Sequence, residues 1–272
     1  MVRKFGLMVL ALPMVARADL VVSSMLIEAT ASCEDQYAHD LDTQSASSGM
    51  VTAGAQVGTQ NFRQRAAAFQ SWGGFNGVAV SGMPWDSDHI NRWSSTLFDV
   101  AVFNSGAAPL PVVFRFEITG GYMDVFNYTI EDATLELSNS IRVGSDSLWG
   151  QQLTLVTGAG GSSLTESLDD PQNIGTPAHT HSDNGTDAHV IVSGFSGVLN
   201  LGTLDPGESM DVKYEMNALA YDQWGTDLAA AIGDPFNLVP GVTFSIDGVT
   251  LPTPATASVL GLAGLVLTRR RR

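Results

Sequence analysis

The chain has 272 residues with 28 Asp+Glu against 13 Lys+Arg, a formal net charge of −15. So few basic residues exclude a phosphate-binding surface of the ordinary kind, because nucleic-acid affinity rests on clustered Lys and Arg. A single cysteine excludes an internal disulfide, so the fold has to be held by its core, and 44% hydrophobic residues over this length suffice to build one.

Residues 1–18 read as a secretory signal peptide. Arg3 and Lys4 precede a short apolar run from Phe5 to Ala16, and Ala16-Arg17-Ala18 supplies an Ala-x-Ala cleavage site before Asp19. After it, Leu20 to Ser32 is rich in β-branched residues and predicts a first strand. A polar loop is expected over Glu34 to Ser48. Met50 to Val57 and Asn61 to Gln70 are further strand candidates, the second equally readable as a short helix because of Ala66, Ala67 and Ala68. Trp72 to Val80 predicts a strand broken by glycines, and Met83 to Trp93 an aromatic and acidic loop.

The period-2 signal is clearest from Leu97 onward. Phe98, Val100 and Val102 share one face, Asn104-Ser-Gly106 turns the chain, and Val112, Phe114, Phe116 and Ile118 alternate with Arg115 and Glu117. Tyr122 to Ser138 continues the pattern, and Leu148 to Thr157 and Ser162 to Leu168 flank a Gly158-Ala-Gly-Gly161 turn. Residues 169–188 form a long loop of Asp, Asn, Gly, Pro, Thr and His, a length that points to function or disorder. Strands resume at His189 to Ser193 and Val198 to Leu204. Asp205-Pro-Gly-Glu208 is strong turn chemistry leading into Met210 to Tyr221. Asp227 to Ile232 is expected as a helical turn, and Val242 to Val249 as the last strand. The whole predicts an all-β chain, an antiparallel β-sandwich of jelly-roll or Ig-like style, as one domain over 19–250.

Three constellations carry possible chemistry. His179 and His181, with Asp183, Asp187 and His189 nearby, are ligand types for Zn, Cu or Ni, and residues two apart on a strand share a face; the alternative is a solvated loop. Asp86-Ser-Asp88 and Asp183-Asn-Gly-Thr-Asp187 offer oxygen ligands to Ca without the spacing of an EF-hand. Trp72, Trp85 and Trp93, close to Phe75, Asp86, Asp88, His89 and Arg92, suit a carbohydrate face or, alternatively, core packing. Cys33 reads as a small buried hydrophobe. There is no Gly-x-Ser-x-Gly, His-Glu-x-x-His or phosphate loop, so no enzyme is expected.

The chain closes on Leu251, Pro252-Thr253-Pro254, an uncharged segment from Ala255 to Thr268, and Arg269, Arg270, Arg271 and Arg272. As a helix the apolar segment spans roughly 21 Å, short against a bilayer core of about 30 Å and suited to a transient stop, with the arginines left on the cytoplasmic side. Residues 251–272 resemble the PEP-CTERM sorting signal of exopolysaccharide-producing bacteria, with Thr253 where that signal carries Glu. The resemblance implies export, transient membrane association through a C-terminal helix, and cleavage by a processing protease of the exosortase type. Three of the basic residues lie in 1–18 and four in the tail, which leaves six against 28 acids, so the region between carries −22. The expected product is an extracellular or surface protein released from a membrane-held precursor, a structural or adhesive component of an exopolysaccharide matrix. A secreted carbohydrate-binding module is the alternative, and a secreted hydrolase a more remote one.

Overall fold

A computed structural model describes residues 20–34, 38–47, 51–58, 63–70, 73–81, 90–128, 133–222, 227–232 and 242–247. The expected signal peptide, Trp72, Met83 to His89 of the loop expected over Met83 to Trp93, with Trp85, and the sorting tail with Pro252, Thr253, Pro254 and Arg269 to Arg272 lie outside these residues, while Ile90 to Trp93 of that loop belong to a strand. Among the described residues the fold is all-β, with strands β1 (Leu20–Glu34), β2 (His39–Ala46), β3 (Val51–Gly58), β4 (Arg63–Gln70), β5 (Gly73–Ser81), β6 (Ile90–Asn104), β7 (Leu110–Ile118), β8 (Gly121–Phe126) and β9 (Ala133–Val143). There follow β10 (Asp146–Gly158), β11 (Gly161–Asp169), β12 (His179–Asp183), β13 (Ala188–Val192), β14 (Phe195–Leu204), β15 (Ser209–Asp222), β16 (Asp227–Ile232) and β17 (Val242–Ile246). No helix among them is long and apolar enough to cross a membrane.

Among the described residues every pairing is antiparallel, in two sheets. The first has seven strands in the order β11-β10-β9-β15-β6-β1-β2. The second has ten, running β12-β13-β8-β16-β5-β17-β7-β14, with β4 on the far edge of β5 and β3 on β4. β16 and β17 meet the same edge of β5, β16 over Asn76 to Val80 and β17 at Gly73 and Gly74, so this sheet divides into two arms.

The period-2 pattern sets which face is buried. Val112, Phe114, Phe116 and Ile118 of β7, and Val212, Tyr214, Met216, Ala218 and Ala220 of β15, are all buried, as their alternation predicts. Aromatic contacts join the two sheets across one core: Phe114 lies 6.3 Å from Tyr214, Phe116 4.9 Å from Trp149, and Trp149 stacks on Phe195 at 5.9 Å. Burying each ring contributes about 2–3 kcal/mol. Gly197 makes room for this cluster, since a Cβ there would stand 2.3 Å from the Phe116 ring.

Several expectations are corrected. The loop expected over 34–48 contains β2, whose polar residues pair on one side only, with β1. The alternation expected to run through Tyr122 to Ser138 is split between β8 in one sheet and β9 in the other. The 169–188 loop contains β12. The helical turn expected over Asp227 to Ile232 is β16, laddered between β5 and β8; its backbone groups find partners on both sides, and this outweighs the helix preference of three consecutive alanines. The same reasoning makes β4 a strand, with Ala66 and Ala68 turned into the core.

The turns behave as their residues dictate. Asn104 is buried and donates from Nδ2 to the carbonyls of Ala108 and Leu204, both at 2.9 Å, while its Oδ1 accepts the Gly106 N–H at 2.8 Å. Its backbone carbonyl accepts from Gly207, whose φ of 85° the Asp205-Pro-Gly-Glu208 turn requires. One amide therefore ties two turns at one end of the molecule.

Candidate functional site

The densest polar constellation among the described residues sits where the two sheets meet edge to edge, at β11 and β12. Asp183, the last residue of β12, is its hub. Its Oδ2 accepts the Ser162 backbone N–H at 2.6 Å and the Ser162 hydroxyl at 2.7 Å; its Oδ1 accepts the Gly185 N–H at 2.7 Å and the Tyr128 hydroxyl. Ser162 Oγ lies 2.8 Å from His181 Nε2. These bonds hold the Asp183 carboxyl well below the usual carboxylate range, the Tyr128 and Ser162 hydroxyls being the main causes. Burial, reinforced by the Asp183 charge, pushes Tyr128 up to about 12.

Serine, histidine and aspartate are thus in contact, and the direction of their bonds decides what they can do. A carboxylate only accepts, so the one Ser162 proton goes to Asp183, and His181 must then donate its Nε2 proton to Ser162. A nucleophilic serine needs the reverse, with histidine accepting the hydroxyl proton and the acid orienting the histidine. The arrangement closes a seam rather than activating an oxygen.

β12 presents His179, His181 and Asp183 on one face, opposite Val192, Val190 and Ala188 of β13. His189 pairs with Ser182 and therefore lies on the other face, where its Nδ1 is 3.0 Å from Asp124 and its ring meets Phe126 edge-on. Asp187 is engaged separately: Oδ1 accepts the Asn127 N–H at 3.0 Å and Oδ2 the Asn184 amide at 3.1 Å. The five expected metal ligands are divided among three groups, because alternation sets His189 across the sheet from the two histidines it follows. Among the described residues no three His, Cys, Asp or Glu side chains gather closely enough to hold one metal ion. Of the calcium candidates, Asp183 and Asp187 accept the protein's own donors, and Asp86 and Asp88 lie outside the described residues.

Of the expected carbohydrate tryptophans, Trp93 is described. It is half-buried on the outer face of β6, opposite Leu219 and Ser32. Arg92 next to it faces inward and is fully buried, across from Cys33 and Ala220. Burial pushes the Cys33 thiol up to about 12 despite the Arg92 charge, and Cys33 is free and buried, as a small hydrophobe should be.

A second seam, between β2 and β3, uses the same device. Asp40 accepts the Gln56 N–H at 2.8 Å and Asp42 the Gly54 N–H at 3.0 Å, both from the edge of β3 that β4 leaves unpaired. The sequence offered a signal for this in Asp-Leu-Asp at 40–42, which places two carboxylates on one side of a strand. Ser162 and Tyr128 had none, because their roles depend on which edge strands meet in space.

No family model, no curated protein and no solved structure matches this chain.

Proposed function

We propose that the chain is an exported, non-enzymatic structural or adhesive component of an extracellular polysaccharide matrix or cell surface, built as a β-sandwich of jelly-roll or Ig-like style. In this reading residues 251–272 hold the precursor in the membrane until a processing protease of the exosortase type removes them. The observation that carries the non-enzymatic part is the direction of the bonds at Ser162, His181 and Asp183. Among the described residues the best-assembled catalytic residue types are committed to joining β11 to β12: the serine proton is directed to the Asp183 carboxylate, a weak base because its pKa is held well below the usual range, while His181 donates to Ser162 and takes no proton from it. Export and delivery are supported by the signal-like residues 1–18, the Pro252-Thr253-Pro254 motif with its arginine cluster, and an acidic intervening region suited to a hydrated environment.

Two measurements test the proposal. Fractionation of the native producer should place the protein in the extracellular matrix or at the surface, and a protein confined to the cytoplasm contradicts it. A screen of polysaccharide and ester hydrolysis should show no turnover that Ser162→Ala or His181→Ala removes; turnover lost in either variant would establish a hydrolase.

A further inference from the structure

The outer face of the seven-stranded sheet carries a shallow groove that the fold itself does not use. The register lines up Ser167 of β11, Gln152 of β10, Ser138 of β9 and Asn217 of β15 as direct cross-strand neighbours, and Ser95 of β6 continues the row. At about 4.8 Å per strand this is a strip of uncharged hydrogen-bonding side chains roughly 19 Å long. Gly150 and Ser140, opposed in the next row, keep the floor low: a Cβ on Gly150 would come within 3.3 Å of the Asn139 carbonyl oxygen.

These residue types are poor choices for a strand that needs only to be soluble, since Ser, Asn and Gly stabilise a pleated surface less than Thr or Val. Few of their polar groups are used internally. Asn217 makes two long contacts, to Ser138 at 3.4 Å and Glu215 at 3.3 Å. Among the described residues Gln152, Ser140 and Ser167 have no side-chain partner. The exposed Arg142 guanidinium also has none, whereas Lys213 beside it pairs with Asp99 at 3.2 Å. Donors and acceptors therefore stand side by side, the pattern that suits hydroxyl groups, each of which both donates and accepts. Glu215 and Asp169 line the same groove, so with Arg142 its balance is negative, which disfavours a polyanion. The row has no apolar side chain, which disfavours a lipid.

We propose that this groove binds one uncharged polysaccharide chain laid across β11, β10, β9 and β15. The proposal rests on the matrix reading and names the polymer contact within it. It places binding on hydrogen bonds rather than ring stacking, with Trp93 two residues beyond Ser95 on the same outer face.

Native gels cast with hydroxyethylcellulose, dextran or polygalacturonate, run on the full chain in mild detergent, test it. Retardation is expected in at least one of the two neutral gels. Gln152→Ala/Asn217→Ala should weaken it about tenfold, the loss of one or two hydrogen bonds, at unchanged melting temperature. Arg142→Ala, an exposed change, should weaken it in the same direction if the double variant folds poorly, while Ser196→Ala on the other sheet leaves it intact. Retardation in polygalacturonate alone, retardation that survives both groove variants, or none in either neutral gel overturns the groove. A chain recovered from the matrix but not retarded in a neutral gel removes the groove and leaves the matrix reading. One retarded in the gels but confined to the cytoplasm does the opposite.

Discussion

Asp183 shows how one exposed carboxylate acquires a structural role. It takes four donors from three segments, and every one of them favours the charged form. Its folded pKa is depressed, so its contribution to stability is present above the ordinary carboxylate value and is lost as pH falls: below about pH 4 the unfolded chain takes up a proton that the folded chain refuses. Asp187 and Asp247 are lowered as well, the latter by a bidentate pair with Arg115. Melting temperature should therefore fall from pH 6 to pH 3. Asp183→Asn should melt below the parent at neutral pH, with the difference narrowing as the pH drops below about 4; a difference that widens on acidification would contradict this role. Cys33 gives an independent check on burial. With a thiol at about 12, only about one part in ten thousand is thiolate at pH 8, and that fraction is enclosed. Alkylation by iodoacetamide should be negligible in the native protein and complete in denaturant. Fast native labelling would mean that β1 and β6 open in solution.

At the scale of elements, the open edges of both sheets are where the fold needed extra means. A bare strand edge is a template for association, and carboxylates placed along it satisfy the free N–H groups while repelling another acidic chain. Asp40 and Asp42 do this for β3, and Asp183 for β11. Replacing Asp40 and Asp42 together by Ala should leave the interior intact but promote self-association, seen as earlier elution from a sizing column as concentration rises; an unchanged profile would show that these bonds do not protect the edge. Within the core, Gly197→Ala should cost about 1–3 kcal/mol, because the new methyl overlaps the Phe116 ring and presses on Ile174. Thermal unfolding of that variant measures it. The elements that the sequence makes legible are those with one wet and one dry face, such as β7 and β15, where alternation is nearly complete. β2 was hidden because an edge strand can be polar on both faces, and β16 because alanine carries no alternation and its state is set by the strands beside it. The Asp183 cluster was half legible: His181 and Asp183 stood among the candidate ligands around His179, but Ser162 and Tyr128 joined them only through the meeting of two sheet edges.

For the whole molecule, the signal that survives best from sequence to structure is the class: short strands, Gly and Asn/Asp turns and little helical period became two antiparallel sheets with their aromatic cores in contact. Pairing order was not readable, since β6 and β15 are neighbours although more than a hundred residues apart, and nothing local specifies that. Net charge belongs to this scale too. All 28 acids lie between two basic ends, and on the proposed reading those ends engage a membrane in the precursor while the middle stays hydrated. On the proposed reading this middle is delivered outside without its ends. Mass spectrometry of the protein purified from its native producer tests it directly. An N-terminus near Asp19 and no peptide spanning Leu262 to Thr268 are expected, whereas a mature extracellular product that retains Arg269 to Arg272 would contradict export with both ends removed.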